Sequence, residues 1–211
     1  MANSILDKLK WLGHASFLIE SEKIVYFDPW KIKKGSPRAD LILISHNHYD
    51  HCSLEDVKKI SKKETVIVTN RSCALSFPNI EVKIVKPGDR ITINNVEIEV
   101  YPAYNINKFF HEKSSGGLGF VITLSGERIY HCGDTDLIPE MKDIKCDIAL
   151  LAVSGTYVMT ASEAAKACQR IKPKIAIPMH YGDIVGSIQD VQEFVKLCKE
   201  ASIEAKILER S

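Results

Sequence analysis

The residues best suited to chemistry in this sequence stand in one hexapeptide, His46-Asn47-His48-Tyr49-Asp50-His51. Residues 41–44 before it form an apolar run, which indicates a buried strand. Because residues two apart on extended backbone point the same way, His46 and His48 can reach one ion. Ser53 begins a predicted helix with a capping box, so Asp50 and His51 lie in a tight turn between strand and helix. Their side chains therefore point in a different direction from those of His46 and His48. Imidazole and carboxylate bind zinc and iron, and this arrangement suits two adjacent ions better than one.

Apolar periodicity predicts the elements that position this hexapeptide. Strand-like runs cover residues 8–12, 16–19, 23–27, 41–45, 66–69, 82–85, 90–93, 96–101, 119–124, 128–132, 148–153, 174–178 and 205–208. Helices are predicted at residues 54–61, 161–171 and 188–200. Strands cluster in each half with helices after them, which favours two sheets covered by helices. His46, Asp134 and His180 all follow an apolar strand, so we expect them at one edge of the sheets.

Composition narrows the class of protein. The 211 residues carry a formal net charge of +1 and no basic run typical of nucleic-acid binding, so we expect no nucleic-acid partner. No apolar stretch approaches the roughly 18 residues of a membrane span, and residues 1–4 do not open a signal peptide. We therefore predict one cytoplasmic domain over residues 1–211, with its six cysteines as thiols.

The HxHxDH pattern of residues 46–51 resembles the signature of the metallo-β-lactamase superfamily. Four further segments match in the same order: Trp11-Leu12-Gly13-His14, Phe27-Asp28-Pro29-Trp30, Gly133-Asp134-Thr135 and Ile177-Pro178-Met179-His180-Tyr181. Together they resemble the small single-domain branch that includes the ascorbate-6-phosphate lactonase-like proteins, over nearly the whole chain. The resemblance implies an α/β fold, a four-layer αββα sandwich with the metal site at one edge of the sheets.

The resemblance also implies further metal ligands. It assigns Asp134 to a bridging position, where its two oxygens hold two ions, and His180 to one of those ions. Relatives place a histidine soon after a Pro-Ala pair, where this chain has Tyr104. The nearest spare imidazole, His111, is predicted to complete the first site, and Tyr104 is the alternative. The predicted metal ligands are thus His46, His48, Asp50, His51, His111, Asp134 and His180.

Residues beside the ligands are predicted to support them. Asp28 can accept a ring N–H from a ligand histidine and so fix its tautomer, and His14 is assigned a similar supporting role. His131 is interpreted as structural. Residues 154–157 follow another apolar strand and are expected to line the substrate pocket.

The function implied is that of a metal-dependent hydrolase acting on a small molecule. Two divalent ions, zinc or else manganese or iron, would lower the pKa of a bridging water and create hydroxide at neutral pH. That hydroxide would attack the carbonyl or phosphoryl centre of a lactone, ester or phosphoester. Asp50 is the predicted catalytic residue, because it would orient the water or bind the second ion as in relatives.

Two alternatives stay open. Cys52, Cys73 and Cys132 map near the presumed metal edge, and thiolates there would favour an iron–sulfur cluster and a redox or electron-transfer function. A non-catalytic binding module that lost activity with the missing histidine would bind at most one metal per chain.

Overall fold

Two β-sheets organise the described residues, 4–211, of the computed structural model. The expectation about a signal peptide concerns residues that lie partly outside this range. The first sheet runs in chain order from β1 to β6, and its strands are β1 (Leu9–Gly13), β2 (Ser16–Glu20), β3 (Ile24–Phe27), β4 (Leu41–Leu43), β5 (Val66–Thr69) and β6 (Glu81–Ile84). The pairs from β1 to β3 are antiparallel, and those from β3 to β6 are parallel.

The second sheet also follows chain order. Its strands are β7 (Arg90–Ile93), β8 (Val96–Pro102), β9 (Leu118–Leu124), β10 (Glu127–His131), β11 (Ile148–Ala152), β12 (Ile175–Met179) and β13 (Glu204–Ala205). Pairing is antiparallel from β7 to β10 and parallel from β10 to β13. The helices are α1 (Leu54–Ile60), α2 (Arg71–Ala74), α3 (Ala161–Ile171) and α4 (Ile188–Glu200), with short 3₁₀ turns at Ile5–Lys8, Lys113–Ser115 and Pro139–Asp143.

Alternation along the strands of the first sheet builds two apolar layers. In β4, Leu41 and Leu43 join the large core shared with the second sheet, while Ile42 joins a smaller cluster that includes Val57 and Ile60 of α1. This period of two is what a strand buried on both faces requires. Buried residues of α3 and α4 pack with the large core. The α/β fold with two sheets between helices is confirmed.

Most predicted elements match the structure within one or two residues, and three differ. The strand predicted at 205–208 is only Glu204–Ala205, because pairing with β12 ends there. The short α2 was not predicted. At α1, Ser53 caps the helix as predicted, but the Asp56 carboxylate accepts from the backbone N–H groups of Lys31 and Ile32 rather than completing a capping box at Ser53.

The topology gathers the polar residues. Since β3 and β4 are parallel neighbours, as are β10, β11 and β12, their carboxyl ends share one edge of each sheet. Ligand-bearing loops of α/β sheets leave from such carboxyl ends. Asp28, His46, Asp134 and His180 follow four of these strands. Every helix in residues 4–211 is too short or too polar to cross a membrane.

Candidate metal centre

Three imidazoles form the first group of possible ligands, His46, His48 and His111. The Nδ1 atom of His48 lies 3.1 Å from Nε2 of His46 and 3.0 Å from Nε2 of His111. His46 and His48 belong to the hexapeptide, whereas His111 comes from the loop between β8 and β9. The structure therefore brings the distant His111 to the pair that the sequence placed together.

A second group lies deeper and consists of His14, Asp50, His51 and His180. All four residues are buried. Nε2 of His51 is 3.6 Å from Oδ2 of Asp50, and the rings of His14 and His180 lie 3.9 Å apart. Nε2 of His14 donates a hydrogen bond of 3.0 Å to Oδ2 of Asp50, which fixes the direction of that carboxylate.

Asp134 stands between the two groups. Its Oδ2 atom lies 3.3 Å from Nε2 of His111, 3.9 Å from Nε2 of His46 and 3.1 Å from Nε2 of His180. Its Oδ1 atom lies 3.5 Å from Nε2 of His51. One carboxylate thus contacts both groups, which is the position that a bridging ligand requires.

Asp28 orients histidines of both groups from behind. Its Oδ2 atom accepts a hydrogen bond of 2.7 Å from Nδ1 of His51, as the sequence analysis predicts for Asp28. The same oxygen accepts the hydroxyl proton of Ser45 at 2.6 Å. Because the only proton of that hydroxyl points to Asp28, the hydroxyl oxygen accepts a hydrogen bond of 2.9 Å from Nδ1 of His46. Both histidines therefore turn a lone pair on Nε2 toward the centre of the site.

Two further candidate ligands, His180 and His111, are held in the same manner. Nδ1 of His180 is 3.0 Å from the Ser154 hydroxyl. Nδ1 of His111 donates to the backbone carbonyl of Tyr157 at 3.1 Å, and the Asn105 side chain donates to that same carbonyl at 2.7 Å. The outer nitrogen of each ring is satisfied, so the inner nitrogen of His111 is available as an acceptor.

Four residues of this centre have a strained backbone. His14, Asp28, His111 and His180 all have positive φ angles, between 41° and 63°. Residues with a side chain rarely adopt this conformation, and it persists where surrounding contacts enforce it. The four residues turn the chain sharply as it leaves a strand or a loop, and this brings their side chains into the site.

The pKa shifts of the buried carboxylates and of His51 favour a cation next to Asp134. Burial alone would raise the pKa of Asp134, but His180 and His51 outweigh it and hold that pKa well below its usual range. Burial would lower the pKa of His51, yet Asp134 and Asp28 raise it to about 10, so Nε2 carries a proton at neutral pH unless a metal ion takes the place of that proton. Burial would also raise the pKa of Asp50, but the hydrogen bond from His14 and the charge of His51 bring it below its usual value.

The donor set fits metal ions. Nε2 of His51 and Oδ1 of Asp134 are buried and have no hydrogen-bond partner within residues 4–211. In the first group, two Nε2 lone pairs converge on His48, whose single Nδ1 proton could satisfy only one of them. Buried acceptors left facing one another are costly unless a cation lies between them. Imidazole nitrogen and carboxylate oxygen are the ligands that zinc and related ions take.

Tyr104 and the three cysteines take other positions. The Tyr104 hydroxyl donates to Glu140 and its ring lies under the Lys113 ammonium, so its phenol is engaged away from the imidazoles. The thiols of Cys52 and Cys73 interact with each other in the smaller apolar cluster, whereas Cys132 is buried in the large core. In the described part of the chain, the groups of possible ligands contain no cysteine. The iron–sulfur alternative gains no support from these positions.

A cavity of about 230 Å³ opens over the ligand groups. It is lined by His48, Tyr49, Asp50, Phe110, His111, Asp134, Tyr157, His180 and Ile184. The sequence predicts residues 154–157 at the pocket, and Tyr157 lines it. Ser45, Asn105 and Phe110 are not among the residues predicted to contribute to the site. Adjacency to a ligand was the available signal for Ser45 and Phe110, while the role of Asn105 depends on how its loop folds back.

Comparisons with known proteins identify the family. A model of the beta-lactamase superfamily domain matches residues 8–180. A UPF0173 metal-dependent hydrolase from Archaeoglobus fulgidus is 31% identical, over 95% of this chain and 94% of the relative. One from Carboxydothermus hydrogenoformans is 33% identical, over 95% and 96% respectively. A crystal structure of a Parabacteroides distasonis protein, 33% identical, aligns with a TM-score of 0.86 over 96% of this chain and 93% of that one.

The chain therefore belongs to the beta-lactamase superfamily. Within it, the chain belongs to the family of UPF0173 metal-dependent hydrolases. The predicted superfamily and enzyme class are confirmed at the level of the family. The narrower resemblance to the ascorbate-6-phosphate lactonase-like branch is not confirmed and stays a prediction.

Proposed function

We propose that this protein is a two-metal hydrolase that cleaves a lactone, ester or phosphoester of a small molecule. The observation that carries the proposal is the place of Asp134. Its Oδ2 atom lies 3.3 Å from the first-group His111 and 3.1 Å from the second-group His180, and its Oδ1 atom faces His51. A carboxylate shared in this way suits two ions rather than one.

The seven predicted ligands divide between the two proposed ions. His46, His48 and His111 would hold the first, and Asp50, His51 and His180 the second, with Asp134 common to both. We propose zinc as the native metal, because the donors are nitrogen and oxygen without a thiolate; manganese and iron fit the same donors. Bound ions of this kind supply Lewis acidity and lower the pKa of water toward neutrality.

Asp50 has the position of a catalytic carboxylate. It lines the cavity, and its lowered pKa keeps it ionised at neutral pH. Nε2–H of His14 donates a hydrogen bond of 3.0 Å to Oδ2 of Asp50, and this contact fixes the orientation of the carboxylate. An ionised and oriented carboxylate can accept a proton from water or contribute an oxygen to the second ion. His14 acts on the reaction through Asp50 and is a positioning residue.

We also propose that residues 1–211 act as one cytoplasmic domain on a small-molecule substrate, without nucleic acid. The near-zero net charge supports this, because nucleic-acid binding draws on a concentrated basic surface. The enclosed position of the ligand groups beneath a small cavity also suits a small molecule.

Metal titration with activity measurement tests the proposal. Protein stripped with a chelator is titrated with Zn²⁺, Mn²⁺ or Fe²⁺ (the last without air), and bound metal is counted by mass spectrometry. We expect two ions per chain, and hydrolysis of 4-nitrophenyl esters, aryl lactones or bis(4-nitrophenyl) phosphate that appears only with metal. Binding of one ion at saturation, or absence of metal-dependent hydrolysis throughout this panel, would contradict it.

A further inference from the structure

We infer that the cavity over the ligand groups selects a neutral carboxylic ester or lactone with a small apolar substituent, in preference to a phosphoester. This inference rests on the proposed function and narrows its substrate class. It is carried by the walls of the cavity, by its size and by the pairing of the charges around it.

Apart from the candidate ligands, the lining of the cavity is apolar and largely aromatic. It consists of Tyr49, Phe110, Tyr157 and Ile184. The rings of Phe110 and Tyr157 pack edge to face, with centroids 5.1 Å apart and an interplanar angle of 78°. Such a pair holds its geometry without a ligand and offers a preformed apolar surface to a substituent that enters beside the metal ligands.

Phe110 is anchored although its ring is exposed. The Asn105 side chain donates to the backbone carbonyl of Phe110 at 2.9 Å, and the adjacent His111 is bound to the Tyr157 carbonyl. Phe110 is 51% exposed as a residue, and Ile184, which also lines the cavity, is exposed as well. When an apolar ligand covers exposed apolar surface at a concave site, the free energy of the system falls and binding is favoured.

The size of the cavity limits the substituent. Its volume of about 230 Å³ is below the range of roughly 300–1,000 Å³ that drug-sized ligands occupy. A short acyl chain or a single aromatic ring fits this space together with the reacting carbonyl group.

The charges near the cavity are already paired. Among the described residues, no lysine or arginine lines it. Lys31 binds Asp183, the neighbour of Ile184, at 2.9 Å, and Lys108, on the loop of Phe110, is paired with Asp136. Recognition of a phosphate group typically uses free guanidinium or ammonium donors. A phosphoester would find no such donor on the chain beside Asp50 and Asp134, and only the proposed ions would meet its charge.

The neighbouring phenylalanines provide a matched pair of variants. Phe110 lines the cavity, whereas Phe109 is 99% exposed and does not line it. We expect Phe110→Ala in the metal-loaded enzyme to lower kcat/KM for 4-nitrophenyl butyrate ~10-fold through KM, because apolar contacts in a pocket discriminate on this scale. Phe109→Ala should behave as wild type. Wild type should prefer this ester to bis(4-nitrophenyl) phosphate, which carries the same leaving group.

A binding measurement on metal-free protein separates the inference from the proposed function. Titration with 4-fluoroacetophenone, followed by ¹⁹F NMR, should give equal Kd values for wild type and Phe109→Ala and a ~10-fold higher Kd for Phe110→Ala. Under the same conditions 4-fluorophenyl phosphate should bind more weakly to all three. Circular dichroism checks that each variant is folded.

The outcomes are distinguishable. Equal binding of the neutral ketone by all three proteins, or tighter binding of the phosphate, overturns the substrate class. A preference for the phosphodiester in turnover does the same and leaves the proposed function standing. If neither compound is hydrolysed with metal while Phe110→Ala still weakens the ketone, the proposed reaction is overturned and the apolar selectivity of the cavity is retained.

Discussion

The two ligand groups on either side of Asp134 differ in how firmly the chain holds them. In the second group Asp50, His51 and His180 are all buried, and each has a buried hydrogen-bond partner in His14, Asp28 or Ser154. In the first group only His46 is buried as a whole residue; His48 and His111 are partly exposed, although the side chain of His111 is 6% exposed. The third member of the first group comes from a loop, not from the end of a strand.

This difference has a physical consequence. A site whose ligands are already oriented loses little conformational freedom when an ion binds, whereas a site built partly on a loop must order that loop. We therefore expect the second ion to bind more tightly and the first to exchange more easily. The ligands proposed for that more easily exchanged ion include His48 and His111, whose rings lie next to the Phe110 ring.

The largest effect is expected at the residue that the groups share. Asp134→Ala should remove both ions and all metal-dependent activity, because each group then keeps only its own ligands around an uncompensated cluster of imidazoles. Metal content by mass spectrometry and hydrolysis of 4-nitrophenyl butyrate measure this. A variant that retains two ions and full turnover would show that Asp134 does not bridge.

The next effect concerns the loop ligand. His111→Ala should lose the first ion and keep the second, since only His46 and His48 would remain in the first group. Tyr104→Phe is the control, because its hydroxyl contacts Glu140 and not the imidazoles. Isothermal titration with Zn²⁺ resolves the two binding steps. Loss of an ion from Tyr104→Phe, with His111→Ala unaffected, would assign the site to the tyrosine instead.

A smaller loss is expected from the residue that orients both groups. Asp28→Asn should weaken the second ion ~10–100-fold, the usual range for a partner of a ligand histidine, and the first ion less, through Ser45. Ser45→Ala is the matched variant: it removes the acceptor for His46 and leaves the Asp28 contact to His51 intact. It should weaken the first ion more than the second, as read from the same titration, because the Ser45 hydroxyl accepts from His46 at 2.9 Å and lies 3.5 Å from Nδ1 of His51. Equal effects of both variants on both ions would refute the assignment in which Asp28 orients His51 directly and His46 through Ser45.

Protonation of His131, a buried histidine three residues before Asp134, should lower the free energy of unfolding. Nε2–H of His131 donates to the Ala15 carbonyl at 2.8 Å, and its Nδ1 accepts from the Gly133 N–H at 3.2 Å, so both nitrogens are satisfied in the neutral ring. Burial lowers the pKa of His131. The unfolded chain therefore binds the extra proton in acid. The stability that the neutral His131 ring gives the folded state is complete above about pH 6.5, the ordinary pKa of histidine in the unfolded chain. This part of the free energy of unfolding is lost, by up to about 1.4 kcal/mol per pH unit, as the pH falls below that value.

Urea unfolding of metal-free protein between pH 5 and 7.5 measures this contribution. The free energy of unfolding of wild type should fall more steeply toward acid than that of His131→Gln, which cannot take up a proton. Parallel pH profiles for the two proteins would exclude His131 as a source of the slope.

The smallest effects are expected at the thiols. Cys52→Ser and Cys132→Ser should leave zinc content intact and change turnover only modestly, because neither sulfur belongs to a group of possible ligands. Protein purified without air from an iron-replete host should be colourless and free of sulfide. Brown protein that bleaches on Cys52→Ser would instead establish the iron–sulfur alternative.

The sequence predicted more of the fold than of the contacts within the site. The predicted strands at 90–93 and 96–101 are separated by Asn94 and Asn95, two residues that tolerate positive φ, and both adopt it in the hairpin of the structure. The capping boxes at Thr160 and Ser187 mark the start of α3 and α4 in the structure. These features are local, so a few neighbouring residues decide them.

What the sequence alone determined is the set of groups available and their grouping along the chain. Four of the seven predicted ligands lie within six residues, and the periodicity around them places them after a buried strand. Asp134 and His180 were identified because each follows an apolar strand in a recognisable motif. Residue type and short-range spacing carry that information directly.

Only the tertiary structure decided how distant groups meet. His111 lies 63 positions from His48 along the chain, yet their ring nitrogens are 3.0 Å apart, because Asn105 and the Tyr157 carbonyl fold the loop back over the sheet edge. The shared role of Asp28 behind both groups likewise depends on β3 pairing with β4. Such contacts arise from chain segments packed together at long sequence separation, and no local pattern encodes the distance between them.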